Sequence, residues 1–204
     1  MVIIDKRKIL SSLSKDGDII LELGCGNRKR HINAVGVDVL DYDCVDIVGD
    51  IFDVLSKFPD SSVSAVYSYH FVEHLSDLGA FMDEMARVLK PGASLNAVVP
   101  HFSNPYFYSD YTHKIFFGLY TFCYFCHGEF FSRQTPTYQK SLKFSIKNVD
   151  LVFKSTKPFY LRHIFKKLLG ILFNISTYTK EFYEENFCYL FPCYEVSYQL
   201  VRDD

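Results

Sequence analysis

Five short apolar runs lie in the first half of the chain, and each one leads into a glycine, an acid or another polar residue. They lie within GDIILELGCG (17–26), AVGVDVL (34–40), CVDIVGDI (44–51), VSAVYSYH (63–70) and SLNAVVP (94–100). Near-continuous apolar runs are typical of parallel strands that are covered on both faces, whereas half-exposed strands alternate apolar and polar residues. The runs therefore predict an α/β protein with a mostly parallel sheet.

Helical patterns separate some of these strands. They appear at 5–14 and at 75–92, the latter with one apolar face and a Pro-Gly stop. The second half adds strand patterns at 146–155 and 193–202 and helical patterns at 159–173 and 179–190. Because 204 residues suit one core, we expect one domain over 1–204. Its parts are 15–100, an aromatic-rich insertion or lid at 101–145, and late strands and helices at 146–204.

The bulk composition gives the protein no strong bias toward nucleic acid. The formal net charge is −2. No secretory signal and no run of 18 apolar residues is found, and six cysteines without such a signal suggest reduced thiols. We therefore expect a cytoplasmic protein. One basic stretch stands out, with only Asp150 as its acid: Arg133, Lys140, Lys143, Lys147, Lys154, Lys157, Arg162, Lys166 and Lys167.

A glycine turn and two acids fall at the ends of the first three predicted strands. ELGCGN (22–27) brings Gly24 and Gly26 to a turn where the backbone can approach a ligand closely. Asp38 ends the second strand, where a carboxylate can accept hydrogen bonds from two ribose hydroxyls. Asp50 and Ile51 follow the third strand, in reach of an adenine amino group and ring. These positions predict a nucleoside site at the carboxyl edge of the sheet.

The turn differs from a dinucleotide fingerprint. It has no third glycine, and only eight residues (27–34) separate it from the next strand. That length is too short for a full crossover helix, so the first helix is predicted to be a stub or a loop. A diphosphate would need the N-terminus of that helix, and an amino-acid-bearing nucleoside needs it less.

The motifs ILELGCGNRK, GVDVL, GDIFDVL, YSYHFVEHL and MARVLKPGASLNAVVP, in this order, resemble the class I S-adenosylmethionine-dependent methyltransferases. The match covers roughly 15–100, the cofactor-binding half. The resemblance implies a Rossmann-like fold: a mostly parallel seven-stranded sheet with an antiparallel last strand and an aromatic-rich insertion after strand five. It also implies S-adenosylmethionine as cofactor, held by these residues: Glu22, Gly24, Cys25, Gly26, Asp38, Asp50, Ile51 and Tyr69.

The stretch SYHFVEHL (68–75) lies where that family opens its active site. It is similar to the acid-x-x-Glu-His motif of small-RNA 2′-O-methyltransferases and some quinone-pathway O-methyltransferases, with His70 in place of the acid. A later DYTHKIF run supplies His113. The resemblance implies a divalent metal on Glu73, His74 and His113, with His70 as a fourth candidate. A histidine in place of the acid favours Zn²⁺, Fe²⁺ or Mn²⁺ over Mg²⁺.

A second interpretation of the same histidines needs no metal. His74, His113 or His101, the first residue after the fifth strand, could serve as the general base on an acceptor hydroxyl. A purely structural cluster is the third interpretation. The residues alone leave the three open.

The acceptor is suggested by a weaker resemblance over most of the chain. PHFSNPYFYSDYTHKIFF and FPCYEVSYQLV are similar to small methyltransferases of surface-polysaccharide gene clusters. This implies O-methylation of a sugar, or of a lipid- or nucleotide-linked glycan, in polysaccharide biosynthesis. An RNA 2′-O-methyltransferase and an inactive, cofactor-binding partner subunit are the alternatives. The oligomeric state has no signal in the sequence.

The amphipathic segment 158–173 has two interpretations. Most helices of this kind pack their apolar face on the core. The alternative is peripheral contact with the inner face of a membrane.

Overall fold

The structure is a computed structural model that describes residues 2–14, 17–136, 138 and 142–204; Lys140 of the basic stretch lies outside them. The described residues form nine strands and four helices. The strands are β1 (Ile4–Asp5), β2 (Ile19–Leu23), β3 (Val35–Asp38), β4 (Ile47–Val48), β5 (Val63–Tyr69), β6 (Leu89–Pro100), β7 (Cys126–His127), β8 (Phe144–Val152) and β9 (Glu195–Arg202). The helices are α1 (Ile51–Leu55), α2 (Leu78–Val88), α3 (Tyr160–Phe173) and α4 (Thr177–Asn186).

All nine strands belong to one sheet, in the order β1-β4-β3-β2-β5-β6-β9-β8-β7. Five neighbouring strands of the sheet run parallel: β4, β3, β2, β5 and β6. Strand β9 is antiparallel to both β6 and β8, as expected for the last strand. The expected count of seven strands is wrong. The extra strands, β1 and β7, are two-residue pairings at the two edges of the sheet, too short to leave a periodic pattern in the sequence.

Two predicted helices differ from the structure. The helix at 5–14 is absent: Asp5 accepts hydrogen bonds from the amides of Ile9 and Leu10, and Lys8 has a left-handed φ of 57°. Helix α2 ends at Val88 instead of continuing to 92, because β6 already begins at Leu89. The residue before a proline disfavours helical dihedrals, so Lys90, which precedes Pro91, belongs to the strand.

The aromatic segment between β6 and β8 extends the core. It contains two short 3₁₀ turns, at Phe107–Ser109 and Thr121–Phe125, and the edge strand β7. Phe117, Phe122 and Phe131 are buried in the same cluster as the residues under the sheet. Tyr106, Tyr108, Tyr111 and Phe116 remain exposed. The segment therefore packs partly as core, and its role as a lid stays a prediction.

The carboxyl ends of β2, β3, β5 and β6 meet at one edge of the sheet, because these strands run parallel. The antiparallel β9 begins at this same edge, where Glu195 pairs with Pro100 at the end of β6. The chain thus brings a residue from its last strand to the predicted site. No helix among the described residues combines the length and apolarity needed to cross a bilayer.

Candidate cofactor cavity and metal centre

The glycine turn after β2 depends on its two glycines for different reasons. Both have left-handed φ angles, 65° at Gly24 and 57° at Gly26. A Cβ on Gly24 would lie 2.4 Å from the Cβ of Phe71, so the close approach at this position is to a side chain of the chain itself. A Cβ on Gly26 would meet nothing within 4 Å. Gly26 therefore faces open space at the turn.

Glu22 and Asp38 hold the turn in place. The buried carboxylate of Glu22 accepts hydrogen bonds from the amides of Arg30 and His31, at 2.7 to 3.0 Å. Asp38 accepts from the amide of Gly26 at 2.8 Å and from that of Leu40 at 2.9 Å. The segment after the turn contains no helix, as predicted. Glu22 therefore shapes the loop, and Asp38 ties the turn to the end of β3.

Two cavities meet at Gly24. The first, of about 630 Å³, is lined by the turn, the loop 27–30 and the end of β5, including Tyr69 and His70. The second, of about 210 Å³, is lined by these residues, among others: Gly24, Asp38, Asp50, Ile51, Phe71 and His74. A ligand with two unlike halves fits this arrangement, one half among cations and the other against apolar walls and two acids.

The acids of the second cavity lie where the sequence places them. Asp50 is the N-cap of α1 and accepts hydrogen bonds from the amides of Phe52 and Asp53 through Oδ1. Ile51 follows in the first turn of the helix and is buried. A carboxylate oxygen can accept more than one hydrogen bond, so Asp38 and Asp50 retain acceptor capacity for a ligand.

Cys25 contributes its backbone to the first cavity, and its side chain points elsewhere. The thiol is buried in a small apolar cluster with Val45 and Val48. Burial, with nearby acids, raises the pKa of the Cys25 thiol to about 12. Any contact of Cys25 with a cofactor would therefore come from the main chain.

Cations and aromatic rings form the other wall of the first cavity. The guanidinium of Arg30 lies 4.0 Å above the Tyr69 ring, and the Tyr69 hydroxyl hydrogen-bonds to Nε2 of His31 at 2.8 Å. Lys29 is occupied by Asp46, at 2.7 Å. Arg28 and Arg30 were not predicted as site residues, although the Arg-Lys-Arg run directly after the turn is a visible signal for anion binding.

Glu73, His74 and His113 form a cluster beside the second cavity. One candidate ligand atom from each residue lies within 4.8 Å of the others. Glu73 and His74 belong to a 3₁₀ turn (Val72–His74) after β5, and His113 comes from the aromatic segment. The amides of Lys114 and Ile115 donate to the carbonyl of Glu73, which fixes the two segments side by side. The structure thus joins the three residues that the sequence proposed as metal ligands.

Hydrogen bonds fix the tautomers of both histidines. The single hydroxyl proton of Thr112 goes to Oδ1 of Asp110 at 2.6 Å, so Thr112 Oγ1 must accept from Nδ1 of His74 at 2.9 Å. Nδ1 of His113 donates to the carbonyl of Phe107 at 2.9 Å. In the neutral ring the other nitrogen carries a lone pair. Nε2 of both histidines is therefore available as a metal ligand, since the nearest carboxylate oxygen to Nε2 of His113, Oδ2 of Asp110, is 3.6 Å away and beyond hydrogen-bond distance.

The carboxylate of Glu73 is the least satisfied group in the cluster. Its side chain is fully buried, and neither oxygen has a hydrogen-bond partner among the described residues. The nearest cation is Nδ1 of His70, at 3.4 Å from Oε1. Burying a carboxylate whose one polar contact is an imidazole at 3.4 Å is costly, and a divalent cation would supply the further interactions that its two oxygens lack. The donor set of one carboxylate and two imidazoles fits such an ion.

His70 lies beside this cluster and outside its three ligands. Its Nε2 donates to Glu195 at 2.7 Å, and Glu195 also binds Lys154. Burial alone would lower the pKa of His70, but the nearby carboxylates of Glu195 and Glu73 outweigh burial and raise that pKa to about 9. The two carboxylates therefore favour the cationic form of His70, and its role as a metal ligand stays a prediction. Glu195 was missed because only the sheet topology brings it here.

His101 is fully buried, and both of its ring nitrogens are bonded. Nδ1 accepts from the amide of Ser103 at 3.1 Å, so Nε2 carries the proton and donates to Glu184 at 3.0 Å. A general base must reach the proton that it removes. The geometry gives no support to a catalytic role for His101, which was inferred from its position at the end of a strand.

Comparisons with known proteins agree with this fold. Residues 21–96, less than half of the chain, match a family model described as Methyltransferase domain (Methyltransf_11). No match to a curated protein sequence was found. Among solved structures, a SAM-dependent methyltransferase from Archaeoglobus fulgidus has a TM-score of 0.55 at 17% identity, covering 96% of this chain and 90% of that one.

Two further solved structures show how broad the likeness is. Geranyl diphosphate C-methyltransferase from Streptomyces coelicolor A3(2) has a TM-score of 0.51 at 13% identity, covering 96% of this chain and 78% of that one. The [4+2]-cyclase SpnF has a TM-score of 0.52 at 17% identity, with the same two coverages. Likeness at this level establishes the Rossmann-like class I methyltransferase fold. Together with the family match, it supports an enzyme of the S-adenosylmethionine-dependent methyltransferase kind.

Proposed function

We propose that the protein transfers a methyl group from S-adenosylmethionine to a hydroxyl, with the help of a divalent metal bound by Glu73, His74 and His113. One observation carries this proposal. A fully buried carboxylate with no hydrogen-bond partner in the described part of the chain stands beside two imidazoles whose Nε2 atoms form no hydrogen bond there, although Oδ2 of Asp110 lies 3.6 Å from Nε2 of His113. His74 also lines the cavity that contains Asp38 and Asp50. The ligand set and the nucleoside cavity are therefore neighbours.

The two cavities suit the two halves of S-adenosylmethionine, which supplies a methyl group on a sulfonium. Asp38 would accept hydrogen bonds from the ribose hydroxyls, and Asp50 would face the adenine with Ile51 against the ring. Arg28 and Arg30 in the larger cavity suit the carboxylate of the methionine half. Gly24 lies where the two cavities meet, so the ligand would bend there.

The metal, when bound, would lower the pKa of an acceptor hydroxyl so that it becomes a better nucleophile at neutral pH. The chain supplies the rest. Thr112 and the carbonyl of Phe107 hold the two imidazoles in the ligand tautomer, and Glu73 provides the charge. Imidazole ligands favour Zn²⁺, Fe²⁺ or Mn²⁺ over Mg²⁺. The geranyl diphosphate C-methyltransferase was solved in complex with Mg²⁺, so a metal is compatible with this fold.

The acceptor that we propose is a sugar or glycan hydroxyl. Aromatic side chains lie on the His113 side of the cluster, with the buried Phe107 next to the imidazole and the exposed Tyr108 and Phe116 beyond it. The Phe107 ring lies 4.8 Å from the rings of both His113 and Phe116, and Tyr108 lies 6.1 Å from Phe116. Aromatic faces of this kind suit the apolar faces of sugar rings. A 2′-hydroxyl of RNA would use the same chemistry, but its binding would weaken steeply with salt.

The test is a calorimetric titration with S-adenosylhomocysteine, before and after chelation, with elemental analysis of the same sample. We expect binding and about one metal per chain. Asp38→Ala should weaken the binding at least about fivefold, because a charged hydrogen bond contributes about 1 kcal/mol or more. His113→Ala should lose the metal and keep cofactor binding. Absence of binding would overturn the cofactor site, and binding without metal would overturn the metal centre alone.

A further inference from the structure

Helix α3 turns its apolar stripe toward solvent. Its large apolar side chains recur at spacings of three and four residues and are between 47% and 85% exposed: Leu161, Ile164, Phe165, Leu168, Ile171 and Leu172. Phe159 before the helix and Ile175 after it extend the stripe. Phe173 is the one buried residue of the described helix. The usual expectation, that this face packs on the core, is therefore wrong for α3.

The opposite side of α3 faces the protein, and it contains the polar residues. Lys166 donates to the carbonyl of Pro192 at 2.7 Å, and Nε of Arg162 donates to Ser155 at 3.0 Å. Nδ1 of His163 accepts from the amide of Ser155 at 3.2 Å. These bonds, with the burial of Phe173, fix the rotation of the helix. These contacts of α3 with the rest of the protein therefore determine that the apolar stripe is exposed.

The charge around the stripe is of one sign. The segment 151–180 contains no Asp or Glu. Two of its six cations pair with acids from elsewhere, Lys154 with Glu195 and the buried Lys180 with Asp150. The other four form no ion pair with the described residues: Lys157, Arg162, Lys166 and Lys167. Lys157 and Lys167 are exposed next to the stripe. An exposed apolar stripe bordered by cations matches the physical properties of an anionic lipid surface.

We propose that α3 docks this protein on an anionic lipid bilayer, with the helix lying in the plane of the headgroups. Fourteen helical residues span about 21 Å, shorter than the hydrocarbon core of about 30 Å, so the helix lies on the bilayer and does not cross it. A second copy of the chain is a poorer occupant. A symmetric dimer through this stripe would bring Lys157 and Lys167 of both copies together, with no acid in the segment to pair with them.

The docked orientation would place the membrane next to the site, and this consequence rests on the proposed function. A cavity of about 350 Å³ behind α3 is lined by Arg162, Phe165, Leu190 and Lys154, among others. Lys154 pairs with Glu195, which in turn binds His70 beside the metal cluster. An acceptor glycan on a lipid anchor would reach the cluster from this side.

Vesicle co-sedimentation tests the docking independently of any methyl transfer. Wild-type protein should bind vesicles of phosphatidylglycerol and phosphatidylcholine at least tenfold more tightly than vesicles of phosphatidylcholine alone. Leu161→Ser, at a side chain 85% exposed, should weaken binding at least about fivefold, and the triple variant with Ile164→Ser and Leu168→Ser should abolish it. Ile32→Ser, at a side chain 86% exposed elsewhere, is the matched control and should bind like wild type.

The charges are tested in the same assay. Lys157→Gln with Lys167→Gln should weaken binding to the anionic vesicles about tenfold and leave binding to neutral vesicles unchanged. All these side chains are exposed, so the melting temperatures should stay the same. The proposal is overturned if the protein binds neither vesicle, if it binds both equally, or if ultracentrifugation shows a dimer that Leu161→Ser converts to a monomer.

Discussion

Two histidine clusters lie at the carboxyl edge of the sheet, and they differ in how completely their polar atoms are paired. His101 is fully buried, with Ser103 on one nitrogen and Glu184 on the other. His74 and His113 each form a hydrogen bond through Nδ1 only, with Asp110 3.6 Å from Nε2 of His113. The buried carboxylate of Glu73 has no hydrogen-bond partner among the described residues, and its nearest polar contact is His70 at 3.4 Å.

The difference in hydrogen-bond pairing distinguishes a structural cluster from a candidate functional cluster more clearly than residue type does. Both clusters combine histidine with glutamate near the ends of strands. A buried polar group that is fully paired stabilises the fold, whereas one left without partners costs stability unless a ligand completes it. We infer that the His101 cluster supports the fold and that the Glu73 cluster binds a cation.

The largest effect is expected from His101→Ala. Truncating this fully buried side chain should cost about 2–5 kcal/mol of folding free energy, because it leaves a cavity and removes one of the two donors to Glu184, the other being the amide of Leu119. Urea unfolding should show this loss, and any folded protein should bind metal with unchanged affinity. His113→Ala is the counterpart and should show the reverse pattern, a smaller loss of stability with loss of metal. A His101→Ala protein of wild-type stability would contradict the comparison.

Glu73→Gln should act on the metal and spare the fold. Loss of the charged ligand should lower metal affinity by more than about 100-fold, since even outer-shell substitutions cost 10–100-fold. The free energy of unfolding of the metal-free protein should stay within about 1 kcal/mol, because Glu73 loses only the 3.4 Å contact with His70, which keeps Glu195 as its closer partner. Metal titration and urea unfolding of the same variant check both parts.

The control for that prediction is Glu184→Gln. Its carboxylate accepts from His101 and from the amide of Leu119, so the variant should lose stability and keep the metal. If Glu73→Gln and Glu184→Gln changed stability and metal affinity in the same way, hydrogen-bond pairing would not distinguish the two clusters.

Thr112→Val tests the tautomer of His74 and should destabilise the fold less than His101→Ala does. Without the hydroxyl, the Nδ1 proton of His74 loses its acceptor, and metal affinity should fall about 10–100-fold. Thr112→Ser keeps the hydroxyl and should restore the affinity. Unchanged affinity in the valine variant would show that Thr112 does not position His74.

Much of the candidate cofactor cavity was predictable because its residues are close in sequence or follow a strand. The glycine turn, Asp38, Asp50 and Ile51 each sit at the end of an apolar run, and strand direction alone brings such ends together. The grouping of Glu73 with His74 and His113 came from resemblance to known motifs, and in the structure one candidate ligand atom from each lies within 4.8 Å of the others. The bound metal itself stays a prediction.

The rest depended on packing between distant segments. The position of His101 after a strand suggested a catalytic residue, but its side-chain direction is set by Glu184, 83 residues later. Glu195 meets His70 across 125 residues because β9 runs antiparallel. The apolar stripe of α3 is visible in the sequence, but the side that faces solvent is fixed by bonds to Pro192 and Ser155.

Ser103→Ala should have the smallest effect and completes the comparison, because Ser103 and Thr112 both place a hydroxyl on Nδ1 of a histidine. Loss of the Ser103 hydroxyl leaves the amide of Cys193 without its acceptor and should cost about 1 kcal/mol of folding free energy. His101 would still accept from the Ser103 amide, so its ring should keep its place. Metal affinity should not change. Thr112→Val should instead lower metal affinity, with a loss of folding free energy of about 1 kcal/mol from its hydrogen bonds to His74 and Asp110. A loss of metal in Ser103→Ala would mean that the two clusters act as one unit, and the distinction drawn from their hydrogen bonds would fail.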